Sequence, residues 1–139
     1  MVMTVHVDIV SAERQIFSGL AEMVVAPAEM GEVGIYPRHS PMITRLKAGE
    51  IRIVEAGGTE QAIYVSGGIL EVQPNTITVL SDTAQRCQDL DESAAIEAKE
   101  KAEKLLADNT SSIDYARAKL ELAEAIAQLR AIDRLRKKR

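Results

Sequence analysis

From residue 3 to about residue 87 the hydrophobic positions recur every second residue. "TVHVDIV" sets Val5, Val7 and Ile9 on one face and His6 and Asp8 on the other. "GEIRIVE" alternates Ile51 and Ile53 with Arg52, and "NTITVLS" alternates Ile77 and Val79 with Thr76 and Thr78. This period belongs to half-buried β-strands. Turn residues interrupt it at short intervals: Ser18-Gly19, Gly31, Pro37, Gly49, Gly57-Gly58, Gly67-Gly68 and Pro74-Asn75. Short alternating strands so punctuated predict an antiparallel sandwich or barrel.

After Asp89 there is no further glycine or proline, and the period changes. Ala95, Ala98, Ala102 and Leu105 follow 3-4-3 spacing, one stripe of a helix. Asp89 or Asp91 can cap its start, with Glu92 placed for a capping-box contact to Asp89. "ADNTSS" supplies a turn and a fresh serine cap. A second helix of about 23 residues follows, roughly 35 Å long. Its stripe is Ala118, Leu122, Ala125, Leu129 and Ile132, beside a second row of Ala116, Leu120, Ala123 and Ala127. The expected class is α+β: an all-β unit over residues 1–87, then a two-helix unit over 88–139.

Both stripes are rich in alanine. A buried methyl contributes about 0.8 kcal/mol, against roughly 1.5–3 for a whole Leu or Ile side chain. The same residues are strong helix formers. Each helix should therefore hold its own shape while adhering weakly to its neighbour.

Charge adds a second asymmetry. The 139-residue chain has a net charge of -4, yet residues 128–139 carry Arg130, Arg134, Arg136, Lys137, Lys138 and Arg139 against Asp133 alone. A basic arm ends an otherwise acidic protein. Aromatic residues are confined to Phe17, Tyr36, Tyr64 and Tyr115, too few for the stacking platforms of single-stranded nucleic-acid binding. Cys87 is the one cysteine, so neither an intrachain disulfide nor a thiolate metal cluster is expected. No apolar run approaches the roughly 20 residues of a membrane span, and the first residues resemble neither a signal nor a transit peptide.

Candidate chemistry is sparse. His6 and His39 have no metal-ligand partner at the usual spacing. "YVSGGIL" is not a nucleophile elbow, because Tyr64 stands where the first glycine must be. No catalytic, metal or cofactor site is expected. The unusual stretch is "GEVGIYPRHSPMIT", residues 31–44, with two glycines and two prolines around Arg38 and His39. Stiff loops on a sandwich often carry binding function.

G-E-x-G-I-x-P-x-H at 31–39, S-G-G-x-L-E-V-Q-P at 66–74 and V-L-x-D-T-A at 79–84 occur in that order. In this combination the chain resembles the ε subunit of bacterial F-type ATP synthase, of proteobacterial type, over essentially its whole length. The resemblance implies a ten-stranded antiparallel β-sandwich followed by a helical hairpin, in a non-catalytic rotor subunit. Its implied partners are the γ subunit, the c-ring subunits, and the α and β subunits of the catalytic head. Membrane contact comes only through the complex, at the cytoplasmic face of the bacterial inner membrane.

By position, Gly31, Glu32, Val33 and Gly34 match the loop that meets the c ring. His39, Ser40, Pro41, Met42 and Ile43 match the segment against γ. The resemblance makes the tail regulatory: docked, it permits ATP hydrolysis; extended beside γ, its basic end enters the head and blocks rotation. Members that sense ATP carry I/L-D-x-x-R-A, and here Leu90, Asp91, Ala94 and Ala95 stand in that frame with Ala94 in the arginine position. Weak or absent ATP binding is expected. The alternatives are a free-standing adaptor with a helical protein-binding arm, a nucleic-acid-binding arm, which net acidity opposes, and a small enzyme.

Overall fold

The computed structural model describes residues 3–108 and 112–137. They form two compact units, Met1–Arg86 and Cys87–Arg139. Among the described residues the first unit has nine strands. They are β1 (Val5–Ser11), β2 (Gln15–Ala28), β3 (Gly31–Ile35), β4 (Met42–Leu46), β5 (Gly49–Glu55), β6 (Glu60–Val65), β7 (Gly68–Val72), β8 (Thr76–Ser81) and β9 (Ala84–Arg86).

The strand order is β1-β8-β7-β4-β2-β5-β6-β9, with β3 added on β2 and β1 also paired to β2. The 14-residue β2 makes this possible. Its first half pairs with β1 and its second half with β3 and β5. A register irregularity between Ala21 and Met23 leaves Glu22 as an extra residue and turns the strand from one layer into the other. One strand thus serves both layers, and nine strands are found where ten were expected. Not every pairing is antiparallel: β1 and β8 run parallel, His6 beside Thr76 through Ser11 beside Ser81.

The alternation predicted from sequence is the core. Val5, Val7, Ile9, Ile51, Ile53, Ile77 and Val79 are buried, and they meet Phe17, Val24, Ile63 and Leu70 in one cluster. Ser18-Gly19 is not a turn but lies inside β2. The actual turn between β1 and β2 is closed by Ser11, whose backbone and hydroxyl both engage Arg14. This serine-based turn needs neither glycine nor proline. Gly57 and Gly58, both at positive φ, close the β5–β6 hairpin.

The second unit opens with a 3-10 turn at Cys87–Asp89 and continues as α1 (Glu92–Asp108) and α2 (Ser112–Lys137). Asp91 caps α1: its carboxylate accepts from the Ala94 N–H at 3.2 Å. The expected turn with its serine cap, residues 109–111, lies outside the described residues. The 26-residue α2 packs on α1 as an antiparallel hairpin. Every fully buried residue described on the two helices is alanine: Ala95, Ala102, Ala118, Ala125 and Ala131. Two details differ from expectation. Ala98 is exposed and Lys99 half-buried, because α1 turns its 95–99–102–106 row inward. On α2 the row of Ala116, Leu120 and Ala123 is exposed, while Ala131 is buried beside half-buried Ile132.

Candidate functional site

The stretch at 31–44 resolves into an edge hairpin and a connecting segment. A two-residue turn, Glu29 and Met30, joins Ala28 to Gly31, which pair across β2 and β3. Gly31 has φ +134°, a conformation that L side chains rarely adopt. Gly31, Glu32, Val33 and Gly34 all lie on β3, whose pairing among the described strands is with β2 alone. The hairpin therefore projects an edge, and its tip residue Met30 is 97% exposed. Glu32 is held from behind by Arg52 of β5, with Nη2 to Oε1 at 3.1 Å.

Residues 36–41 cross from β3 to β4. Arg38 has φ 66°, unusual for a residue other than glycine, and its N–H donates to the Pro74 carbonyl at 2.8 Å. The His39 Nδ1 lies 2.7 Å from the Ser40 carbonyl oxygen, which places a proton on that nitrogen. Ser40 and Pro41 are exposed, Met42 packs against the core, and Ile43 on β4 is 72% exposed. Sequence reading missed the continuation of this surface. β4 pairs with β7 and β7 with β8, where Ile69 (46% exposed) stands opposite Leu80 (50% exposed). Outward-facing apolar residues in alternating strands were the signal: Ile43, Ile69 and Leu80 each occupy a position where the pattern calls for a polar one.

On the helices the basic residues are not all presented as an arm. Arg136 makes a two-pronged contact with Glu92, Nη1 to Oε1 at 3.1 Å and Nη2 to Oε2. It joins the end of α2 to the start of α1. The hydrogen bond to Glu92 and then its charge raise the Arg136 pKa above its ordinary value. Lys137 pairs with Asp133 one turn earlier at 3.2 Å. Arg130 and Arg134 are exposed; Lys138 and Arg139 lie outside the described residues. In the frame of the ATP-sensing motif, Leu90 donates its N–H to the Cys87 carbonyl, Asp91 caps the helix, Ala94 is exposed and Ala95 buried. Ala94 brings no cation to this helix start.

A serine, a histidine and an aspartate do meet on the sandwich, but not as a catalytic set. Asp8 Oδ1 accepts from the Ser18 hydroxyl at 2.7 Å and from the Gln15 amide at 3.2 Å, and lies 3.0 Å from His6 Nε2. The hydroxyl proton points at the carboxylate, with the imidazole to one side at 3.4 Å. A nucleophile needs its base between it and the acid. Among the described residues no group of three or more His, Cys, Asp or Glu is placed to hold a metal ion, and no helix is long and apolar enough to cross a membrane.

Two family models cover the chain. The ATP synthase Delta/Epsilon chain β-sandwich domain matches residues 4–87, and the long α-helix domain of the same chain matches residues 88–133. The chain is 65% identical over 138 residues to an ATP synthase epsilon chain of Nitrosococcus oceani, covering 99% of both proteins. It is 60% identical over 134 residues to that of Nitrosomonas eutropha, covering 96% of both. Among solved structures, a chain of the Euglena gracilis mitochondrial ATP synthase OSCP/F1/c-ring assembly has the same fold, with TM-score 0.84 at 15% identity over 93% of this chain and 81% of that one. A chain of the Tetrahymena thermophila mitochondrial ATP synthase central stalk and c ring follows with TM-score 0.61 at 14% identity, covering 94% and 97%. With both of its units matched and its relatives aligned end to end, this chain belongs to the ATP synthase delta/epsilon chain family.

Proposed function

We propose that this chain is the central-stalk subunit of a proton-translocating F-type ATP synthase, joining the c ring to the γ shaft and restraining ATP hydrolysis through its helical unit. The observation that carries the reading is the match of both units, in order, to the delta/epsilon chain, together with near-full-length identity to epsilon chains. It has no catalytic site of its own and works as part of an enzyme complex, with γ, the c-ring subunits and the α and β subunits as partners. It sits peripherally on the cytoplasmic face of the bacterial inner membrane, through the complex.

Within that role the β2–β3 hairpin, with Gly31, Glu32, Val33 and Gly34, meets the c ring. Its support is physical: a projecting edge, a short turn and an exposed tip present the hairpin to a partner. His39, Ser40, Pro41, Met42 and Ile43 meet γ, and the sheet face that carries Ile43, Ile69 and Leu80, with Glu71 opposite Ile43 and Arg45 opposite Ile69, extends that contact. The Ile69–Leu80 pair, exposed on neighbouring strands, supports a protein contact there. The alanine seam of the helices supports a two-state tail, since a ligand or partner shifts an equilibrium only by its differential affinity and a weakly docked hairpin leaves little to overcome. The basic residues Arg130, Arg134, Arg136, Lys137, Lys138 and Arg139 serve the extended state. The frame of Leu90, Asp91, Ala94 and Ala95 binds ATP weakly or not at all.

Gly34 gives the direct test. A Cβ there meets nothing within 4 Å, so a large side chain fits the fold while obstructing the edge. Gly34→Trp is expected to lower ATP-driven proton pumping relative to ATP hydrolysis in membrane vesicles, with the complex still assembled. Normal coupling would reject the hairpin as the c-ring contact.

A further inference from the structure

The hairpin assigned to the c ring is a thin element for a load-bearing one. β3 has five residues and is hydrogen-bonded on one side. Opposite Glu32 stands Pro27, whose backbone polar side faces away from β3, so this row is a non-hydrogen-bonded pair of the ladder. Pro27 is instead buttressed from the other side: its carbonyl accepts from the Lys47 N–H at 3.0 Å, and its ring fills the space where a Cβ on Gly49 would come to 2.9 Å. At this row, where β2 and β3 exchange no backbone hydrogen bond, a side chain crosses the sheet. Arg52 pairs with Val25 on β2 and Ala62 on β6, two strands away from β3. Its guanidinium passes over β2 to reach Glu32 at 3.1 Å.

The two ends of this contact differ in freedom. The Arg52 side chain is 24% exposed and that of Glu32 54%. The Arg52 Nε is buried with no hydrogen-bond partner among the described residues. A buried donor left unsatisfied costs stability. The arginine thus holds a conformation its own hydrogen bonding does not favour, while its tip engages the hairpin acid.

We infer that Arg52 is a positioning residue for coupling: its guanidinium anchors Glu32 and fixes the angle at which the β2–β3 hairpin meets its partner. The inference rests on the assignment of that hairpin to the c ring. Arg52 itself stays behind the contact. An exposed ion pair adds little to global stability, so its effect belongs in transmission rather than in folding. A pair of that strength biases the seated hairpin over a swung one by about two- to fivefold.

The test uses membrane vesicles carrying the complete ATP synthase, reading proton pumping per ATP hydrolysed. Arg52→Gln and Glu32→Gln are each expected to lower the ratio, by at most about two- to fivefold. Combining them should lower it no further, because both remove one contact. Exchanging the charges, Glu32→Arg with Arg52→Glu, should restore most of it, which a merely structural loss at either position would not do. Glu32→Gln changes an exposed edge residue and keeps the test open if Arg52→Gln impairs assembly. If Gly34→Trp uncouples while Arg52→Gln and Glu32→Gln do not, the anchor is rejected and the hairpin contact stands. If Glu32→Gln uncouples and neither Arg52→Gln nor the exchange behaves as stated, the partner reads the Glu32 charge directly and the anchor is again rejected. If Gly34→Trp is silent too, the assignment of the hairpin itself fails.

Discussion

Single residues here are set by backbone geometry more often than by chemistry. Gly68 has φ +136°, and a Cβ built on it would lie 2.0 Å from the Leu80 carbonyl oxygen. The backbones of β7 and β8 approach too closely for any side chain. Gly68→Ala should therefore cost about 3 kcal/mol or more, strain and overlap together, read as a lowered denaturation midpoint. Gly31 has nearly the same φ but open space around it, so Gly31→Ala should cost less, about 1–2 kcal/mol. "SGG" was legible as a tight bend from composition alone. Which of its glycines was indispensable was not, because the obstructing oxygen comes from a strand 12 residues further on.

At the scale of elements, what the sequence disclosed depended on distance along the chain. Strands with one buried face were legible: Val5, Val7 and Ile9 are buried as their alternation requires. The double duty of β2 was not, since the extra residue at Glu22 leaves no compositional mark. Neither was the pairing of Arg52 with Glu32 or of Arg136 with Glu92, because each joins residues that only folding brings together. In the helices the stripe was assigned one position off at Ala98, where alanine on both sides of the seam gives the pattern little contrast. The prediction for this element concerns Ala102, which is fully buried. Ala102→Leu overfills the seam, at a cost of about 1–3 kcal/mol in docking, while leucine sustains the helix almost as well as alanine. Far-UV helicity should persist at low temperature while amide exchange in both helices quickens; unchanged exchange would show that the seam is not what holds the hairpin. The Arg136–Glu92 pair adds little to this. The raised arginine pKa means its contribution is fully present below the ordinary arginine pKa and lost only as pH rises through the higher folded value. Salt, not pH, is its natural solvent control.

For the whole molecule, the division of labour follows from how each unit is stabilised. The sandwich buries Ile, Val and Leu from eight strands around one cluster, whereas the fully buried positions described on the helices are alanine methyl groups. Rigid coupling and reversible restraint need these opposite constructions. Deleting residues 128–139 removes the Arg136–Glu92 contact and buried Ala131 but leaves the first half of α2. ATP hydrolysis by the purified complex should then rise severalfold with assembly intact; an unchanged rate would count against the tail as a brake. The family was legible through three ordered motifs; the proposed contact surfaces rest on position within them.

The parallel pairing of β1 with β8 has one more consequence, for biogenesis. During synthesis β1 finds this neighbour only after some 70 more residues have been made, between His6 and Thr76. Until then the first strand has β2 alone beside it, with its other edge open to unintended partners. Such distant closure makes for slow, late-committing assembly. A nascent chain cut off anywhere before β8 is a half-built sheet rather than a smaller domain.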